Sequence, residues 1–96
     1  MSLLDKYPDK HPRTASRVID GEAIVVVCDE NLVKILNSVG SRIWELADGN
    51  KTVSEIVKVI CSEYEVDVEQ AEKDTVEFVE ELIKSGMMYL SADLGE

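Results

Sequence analysis

One stretch, residues 36–57 (LNSVGSRIWELADGNKTVSEIV), constrains the fold more than any other. It carries the only tryptophan, two helix starts and the turn between them. Asn37 or Ser38 can accept a hydrogen bond from a free N–H of the first helical turn. Val39, Ile43, Trp44, Leu46 and Ala47 then recur at helical spacing, and Asp48-Gly49-Asn50 stops the helix. Thr52-Val53-Ser54-Glu55 is a capping box, in which Thr and Glu each satisfy the other's free backbone donor. Val53, Ile56, Val57, Ile60 and Tyr64 mark one face of a second helix ending near Glu63. Gly40 sits in the first turn, four residues before Trp44, where a glycine costs helix stability. It is expected to admit a close neighbour, either another backbone or the indole. Trp44 is expected to be buried against a sheet and the other helices.

The chain before this stretch reads as strands. Residues 15–20 form a short one ending in Asp20-Gly21, a dipeptide that tolerates positive φ and favours a tight hairpin turn. Residues 22–28 follow, and their apolar run at 23–27 holds three valines and an isoleucine, which favours strand over helix. A strand apolar on both sides is expected at the centre of a sheet, covered on both faces. Asp29-Glu30-Asn31 turns the chain into a third strand, residues 32–36, which Lys34 interrupts as charges do on edges. The simplest arrangement is an antiparallel meander with the second strand in the middle. The third strand then keeps one backbone edge unpaired.

A third helix is expected from Asp67, its cap, with Gln70 in the capping-box position. At about 100° per residue, Val68, Ala71, Thr75, Val76, Phe78, Val79, Leu82 and Ile83 share an arc of about 160°. Glu72 is the one charged residue inside that arc, and the opposite face is Glu69, Gln70, Lys73, Asp74, Glu77, Glu80, Glu81 and Lys84. Gly86 follows as a left-handed helix stop, and residues 87–90 suit a short extended segment. At the ends, residues 1–14, with Pro8 and Pro12 and no period, read as a flexible N-terminal arm. Residues 15–90 read as one domain and residues 91–96 as a polar tail.

Composition excludes several classes of function. A net charge of −10 and a pI of about 4.4 repel phosphate backbones and anionic lipid surfaces. The first residues lack the apolar core of a signal peptide, and the longest apolar run is far short of the ~20 residues that span a membrane. A cytoplasmic setting is expected. Cys28 and Cys61 lie in apolar patterns, outside any CxxC, and read as small buried free thiols. His11, the single histidine, has no ligand partner nearby and reads as solvated. No metal site, cofactor or nucleophilic triad can be assembled, and the glutamates of the third helix lie on its solvated face. The chain is expected not to be an enzyme. No attachment motif supports a small-molecule carrier.

Helices two and three after a small sheet make a winged helix-turn-helix of the α+β class, a fold that commonly binds DNA. Here the candidate recognition helix carries Glu69, Glu72, Asp74, Glu77, Glu80 and Glu81 against Lys73 and Lys84. Carboxylates facing phosphates cost affinity, so the fold is expected without nucleic-acid binding.

Residues across the domain carry a family resemblance. The carriers are Arg17-Val18, Gly21-Glu22-Ala23, Leu36-Asn37, Gly40, Ile43-Trp44-Glu45-Leu46, Asp48-Gly49, Thr52-Val53 and Ile56. Downstream they are Tyr64-Glu65-Val66, Ala71, Asp74-Thr75-Val76, Phe78, Leu82 and Gly86-Met87. This ordered set resembles PqqD, of pyrroloquinoline quinone biosynthesis, and the wider family of peptide-recognition domains in ribosomal peptide modification. The resemblance implies three strands followed by three helices. It implies binding of the leader of a precursor peptide, which adds as a strand to the third strand beside the third helix. It also implies delivery to a modifying enzyme, often a radical SAM enzyme.

The residue reading meets that implication independently, because strand addition beside a helix needs an open edge and an apolar helix face. The expected peptide site is Leu32, Val33, Lys34, Ile35 and Leu36 on the strand. On the third helix it is Val76, Val79 and Ile83, with Glu72 among them and Glu69 and Glu80 at the rim. Ala71, Phe78 and Leu82 are expected to face the core. A monomer or weak homodimer is expected. The alternative is a winged-helix regulatory protein acting through protein–protein contacts.

Overall fold

Asp20 and Gly21 both adopt positive φ, 54° and 81°, and so close a tight hairpin. That turn joins β2 (Thr14–Ile19) to β3 (Glu22–Val27), and a second turn with Asn31 at φ 53° leads to β4 (Leu32–Ile35). The computed structural model describes residues 3–91. Its main sheet is antiparallel in the order β2-β3-β4, with β3 central as the sequence predicts. Three helices follow: α1 (Ser38–Leu46), α2 (Val53–Tyr64) and α3 (Val68–Lys84).

The register divides the sheet into two unlike faces. Ala23, Val25 and Val27 point to the helices and are fully buried. Ile24 and Val26 point the other way and are only half-buried, beside Val33 and Ile35 on the neighbouring strand. The expectation that the central strand is covered on both faces is therefore corrected. All three helices follow the sheet in sequence and α1 packs on β3; an antiparallel sheet tolerates a solvated second face. Cys28 is likewise exposed and Cys61 half-buried, both as free thiols, so the expected burial of Cys28 fails. It lies one residue past β3 and shares the parity of Val26.

Local signals set the helix ends. The Asn37 side chain accepts from the Gly40 N–H at 2.8 Å. The Thr52–Glu55 box forms in both directions, at 3.1 and 2.8 Å. Asp67 precedes α3 without a side-chain capping bond. Gln70 instead donates to Asp74 Oδ1 at 2.8 Å, so the predicted capping box there does not form. At the other end Gly86, at φ 78°, donates to the Ile83 carbonyl at 3.0 Å while Met87 donates to that of Leu82 at 2.9 Å. These two bonds form a Schellman stop.

Trp44 is 2% exposed, as expected, with its Nε1–H donating to Ser16 Oγ at 3.1 Å. Buried Ser41 accepts from the Ala23 N–H at 2.6 Å and donates to the Leu36 carbonyl at 3.2 Å. It thereby locks the corner where the sheet passes into α1.

The N-terminal residues are more ordered than an arm without elements. Leu3–Asp5 forms a 3₁₀ turn, and β1 (Pro8–Lys10) pairs antiparallel with β5 (Met88–Leu90). Lys6 and Pro8 carbonyls accept from Val53 and Gly49, each at 3.0 Å. Lys10 Nζ donates to the Ala47 carbonyl at 3.0 Å and lies 5.6 Å from the Trp44 ring centroid. Burial pushes the Lys10 pKa down against the opposing pull of Asp9, Asp48 and Glu45. Pro8 opens its strand, the position where a missing N–H is tolerated. Its pairing joins residues about 80 positions apart, which periodicity cannot report. Of the predicted polar tail, residues 92–96 lie outside the described residues.

Candidate functional site

The open edge of β4 is the starting point. Leu36 N–H donates to the Ala23 carbonyl at 2.8 Å, and Ile35 stands opposite Ile24. Hydrogen-bonded pairs alternate along an antiparallel ladder. Leu32 and Lys34 therefore spend their backbone groups on β3, and Leu36 its N–H, its carbonyl being taken by Ser41, whereas Val33 and Ile35 direct theirs to the open edge. Of the five strand residues expected at the site, two present free backbone. The side chains of Val33 and Ile35, 57% and 65% exposed, lie on the outer face of the sheet.

Beside this edge lies a cavity of about 470 Å³. Lys34, Ile35 and Leu36 bound it on the strand side, and Asn37, Val39 and Gly40 continue that wall into α1. Ile43, Ile60, Tyr64 and Val66 close its base and far end, and α3 contributes Gln70, Ala71, Asp74, Thr75, Phe78 and Glu81. The groove runs from Lys34 and Glu81 at one end, joined at 2.8 Å, to Tyr64, Val66 and Gln70 at the other.

The side of α3 that lines this cavity is not the side expected. Val79 is fully buried in the core, and Val76 and Ile83 pack partly buried against it. Glu72 and Glu80 are exposed and do not line the cavity. Leu32 and Val33 also lie outside the lining. Ala71 and Leu82 are buried in the core as expected, Ala71 also bordering the cavity, whereas Phe78, expected in the core, packs partly buried against it and lines the cavity. The apolar arc of α3 is wide enough to serve both core and groove, but a helical wheel carries no information on which edge meets the strand.

Gly40 is the sequence feature that bears on which edge of α3 borders the cavity. A Cβ there would stand 3.0 Å from Phe78 Cε1. The close neighbour that glycine admits is thus the Phe78 ring, neither a backbone nor the indole. Both residues line the cavity, so α1 and α3 approach each other closely there.

The polar groups sit at the rim. Lys34 is matched by Glu81. Asp74 accepts from Gln70 and, among the described residues, forms no ion pair with a lysine or arginine. No group of three potential metal ligands occurs among the described residues. No helix among them is long and apolar enough to cross a membrane.

Comparison with known proteins places the fold. Two solved structures are similar to it. "TbiB1 in Complex with the TbiA(beta) Leader Peptide" has a TM-score of 0.78 and 32% identity, covering 83% of this chain and 93% of that one. "Lasso peptide synthetase B1 complexed with the leader peptide" also has a TM-score of 0.78, at 20% identity, covering 86% and 98%. The three-stranded sheet followed by three helices is the fold they share. No curated protein matches the chain. Residues 25–88 match the family described as Coenzyme PQQ synthesis protein D (PqqD). With that match over most of the domain, and the first structure's likeness over most of both chains, the protein belongs to the PqqD family.

Proposed function

We propose that this protein binds the leader segment of a ribosomally made precursor peptide and presents it to a modifying enzyme. The observation that carries the reading is the juxtaposition of an unpaired strand edge, at Val33 and Ile35, with a cavity bounded by α3. An extended peptide gains main-chain hydrogen bonds from the first and side-chain anchorage from the second. Family membership and the leader-peptide complexes of both similar structures support it.

The protein works as a recognition subunit with no chemistry of its own. The modifying enzyme, a radical SAM enzyme in a pathway resembling quinone-cofactor biosynthesis, acts on the peptide it holds. Delivery suits a cytoplasmic monomer or weak homodimer. The acidic surface of α3 keeps nucleic acid away. Apolar anchors and strand pairing supply most of the affinity, since exposed ion pairs contribute only about 0–1 kcal/mol each.

A ¹⁵N-labelled sample titrated with the leader of a precursor encoded beside this protein tests the reading. Amide shifts are expected at residues 33–40 and 70–81. Shifts confined to the N-terminal half of α2, with β4 and α3 silent, would place the site elsewhere.

A further inference from the structure

We infer that the groove selects peptides carrying a lysine or arginine, and that Asp74 is the residue that reads it. The inference rests on the groove being a peptide site and adds which peptides it prefers. Three observations combine.

The first is charge. Lys34, Asp74 and Glu81 are the ionisable side chains along the β4 and α3 walls. Lys34 and Glu81 neutralise each other at 2.8 Å. Asp74 keeps a carboxylate oxygen for a new partner, because its one side-chain hydrogen bond is a neutral one from Gln70.

The second is geometry. A strand added to β4 points alternate side chains into the groove, on the side to which Lys34 projects. The peptide residue opposite Lys34 meets the Lys34–Glu81 pair. Asp74 lies seven positions from Glu81, about 10 Å along the helix. That is about three residues of extended chain. Only alternate residues face the groove, so the basic side chain belongs two or four positions from the one opposite Lys34, within reach of a long, flexible stem.

The third is surroundings. Val39 and Phe78 flank this part of the groove and are only partly buried. They offer apolar surface for the stem of a lysine or arginine while its head reaches the rim.

The test begins with a random twelve-residue peptide library displayed on phage and selected on the full-length protein. Enriched peptides are expected to hold a Lys or Arg at fixed spacing from an apolar residue. Selection on Asp74→Lys should replace that residue by Asp or Glu. Glu72→Lys makes the same change of net charge on the same helix, outside the groove, and should leave the enriched pattern unaltered. For one enriched peptide, Asp74→Lys should weaken binding about fivefold, the upper end for an exposed pair. Glu72→Lys should stay within about twofold.

Ile35→Pro, which removes an open-edge N–H, separates loss of strand pairing from loss of the charge contact. Enriched peptides that need Ile35 but show no basic residue would overturn the charge inference and leave the groove reading standing. Equal effects of the two lysine variants would also overturn it, by assigning the preference to the overall acidic field. If no enriched peptide is sensitive to Ile35→Pro, the groove reading falls, and the inference with it.

Discussion

The backbone parity of β4 makes a sharp prediction about proline. Leu36 pairs with Ala23 through its N–H, so Ile35 stands in a non-bonded position toward β3 and its N–H faces the open edge. Ile35→Pro should leave the β3–β4 ladder intact, since proline is tolerated on an edge whose N–H faces solvent. The side chain lost is 65% exposed, so stability should change by less than about 1 kcal/mol. Binding should suffer far more. An incoming peptide carbonyl would lose its donor and be held dry against the ring, a cost of about 1–3 kcal/mol. That corresponds to about 5- to 150-fold weaker affinity.

Lys34→Pro supplies the contrast. Its N–H faces Val25 within the ladder. Removing it leaves a carbonyl of the central strand unpaired and should cost about 1–3 kcal/mol of stability. Urea denaturation of both variants, with calorimetric titration of a leader peptide, reads the two quantities separately. The reasoning is refuted if Ile35→Pro binds within about twofold of the unaltered protein. It is also refuted if Ile35→Pro destabilises as much as Lys34→Pro, which would mean the parity is inverted.

Three further expectations follow from the core, the termini and the charges. Trp44→Ala should cost about 3–5 kcal/mol in denaturant unfolding, as truncation of a buried aromatic does, with the Ser16 hydroxyl losing its donor. A loss below about 1 kcal/mol would contradict the burial of Trp44. Deleting residues 1–10 should lower Tm by more than about 5 °C, since it strips β5 of its partner strand and removes the fully buried Pro8; a shift under about 2 °C would make β1 dispensable. Glu63 is held below its ordinary carboxylate value by hydrogen bonds from Arg42, and Asp48 chiefly by the Asn50 N–H. Their contribution is present above about pH 4 and is lost as the pH falls through their lowered values. Thermal melts from pH 6 to pH 2 should show that decline, and replacing Arg42 by Leu should flatten it.

Sequence by itself determined what is local. Asp20-Gly21 specified the hairpin, Asn37 and the Thr52–Glu55 box specified two helix starts, and Gly86 specified the stop of α3. Each of these is a contact or dihedral within a few residues of chain, so the residue pattern carries its physics. The meander followed from the same kind of signal, and so did its open edge. The width of the apolar arc on α3 was legible too, because side-chain periodicity follows from helix geometry alone.

Tertiary structure decided what depends on partners far along the chain. Whether Val76, Val79 and Ile83 or Ala71, Asp74 and Phe78 meet β4 is a rotation of α3 about its own axis, and a periodic pattern is blind to that rotation. It is set by the fit of Phe78 over Gly40, the Lys34–Glu81 pair and the burial of Val79 and Leu82. The strand at Pro8–Lys10 is likewise a product of β5, because a three-residue segment has no stability of its own until Met88–Leu90 completes its hydrogen bonds. Cys28 is exposed for a related reason. The apolar run of β3 marks a buried strand on one face only, and the other face is left to solvent because the helices pack on a single side of the sheet.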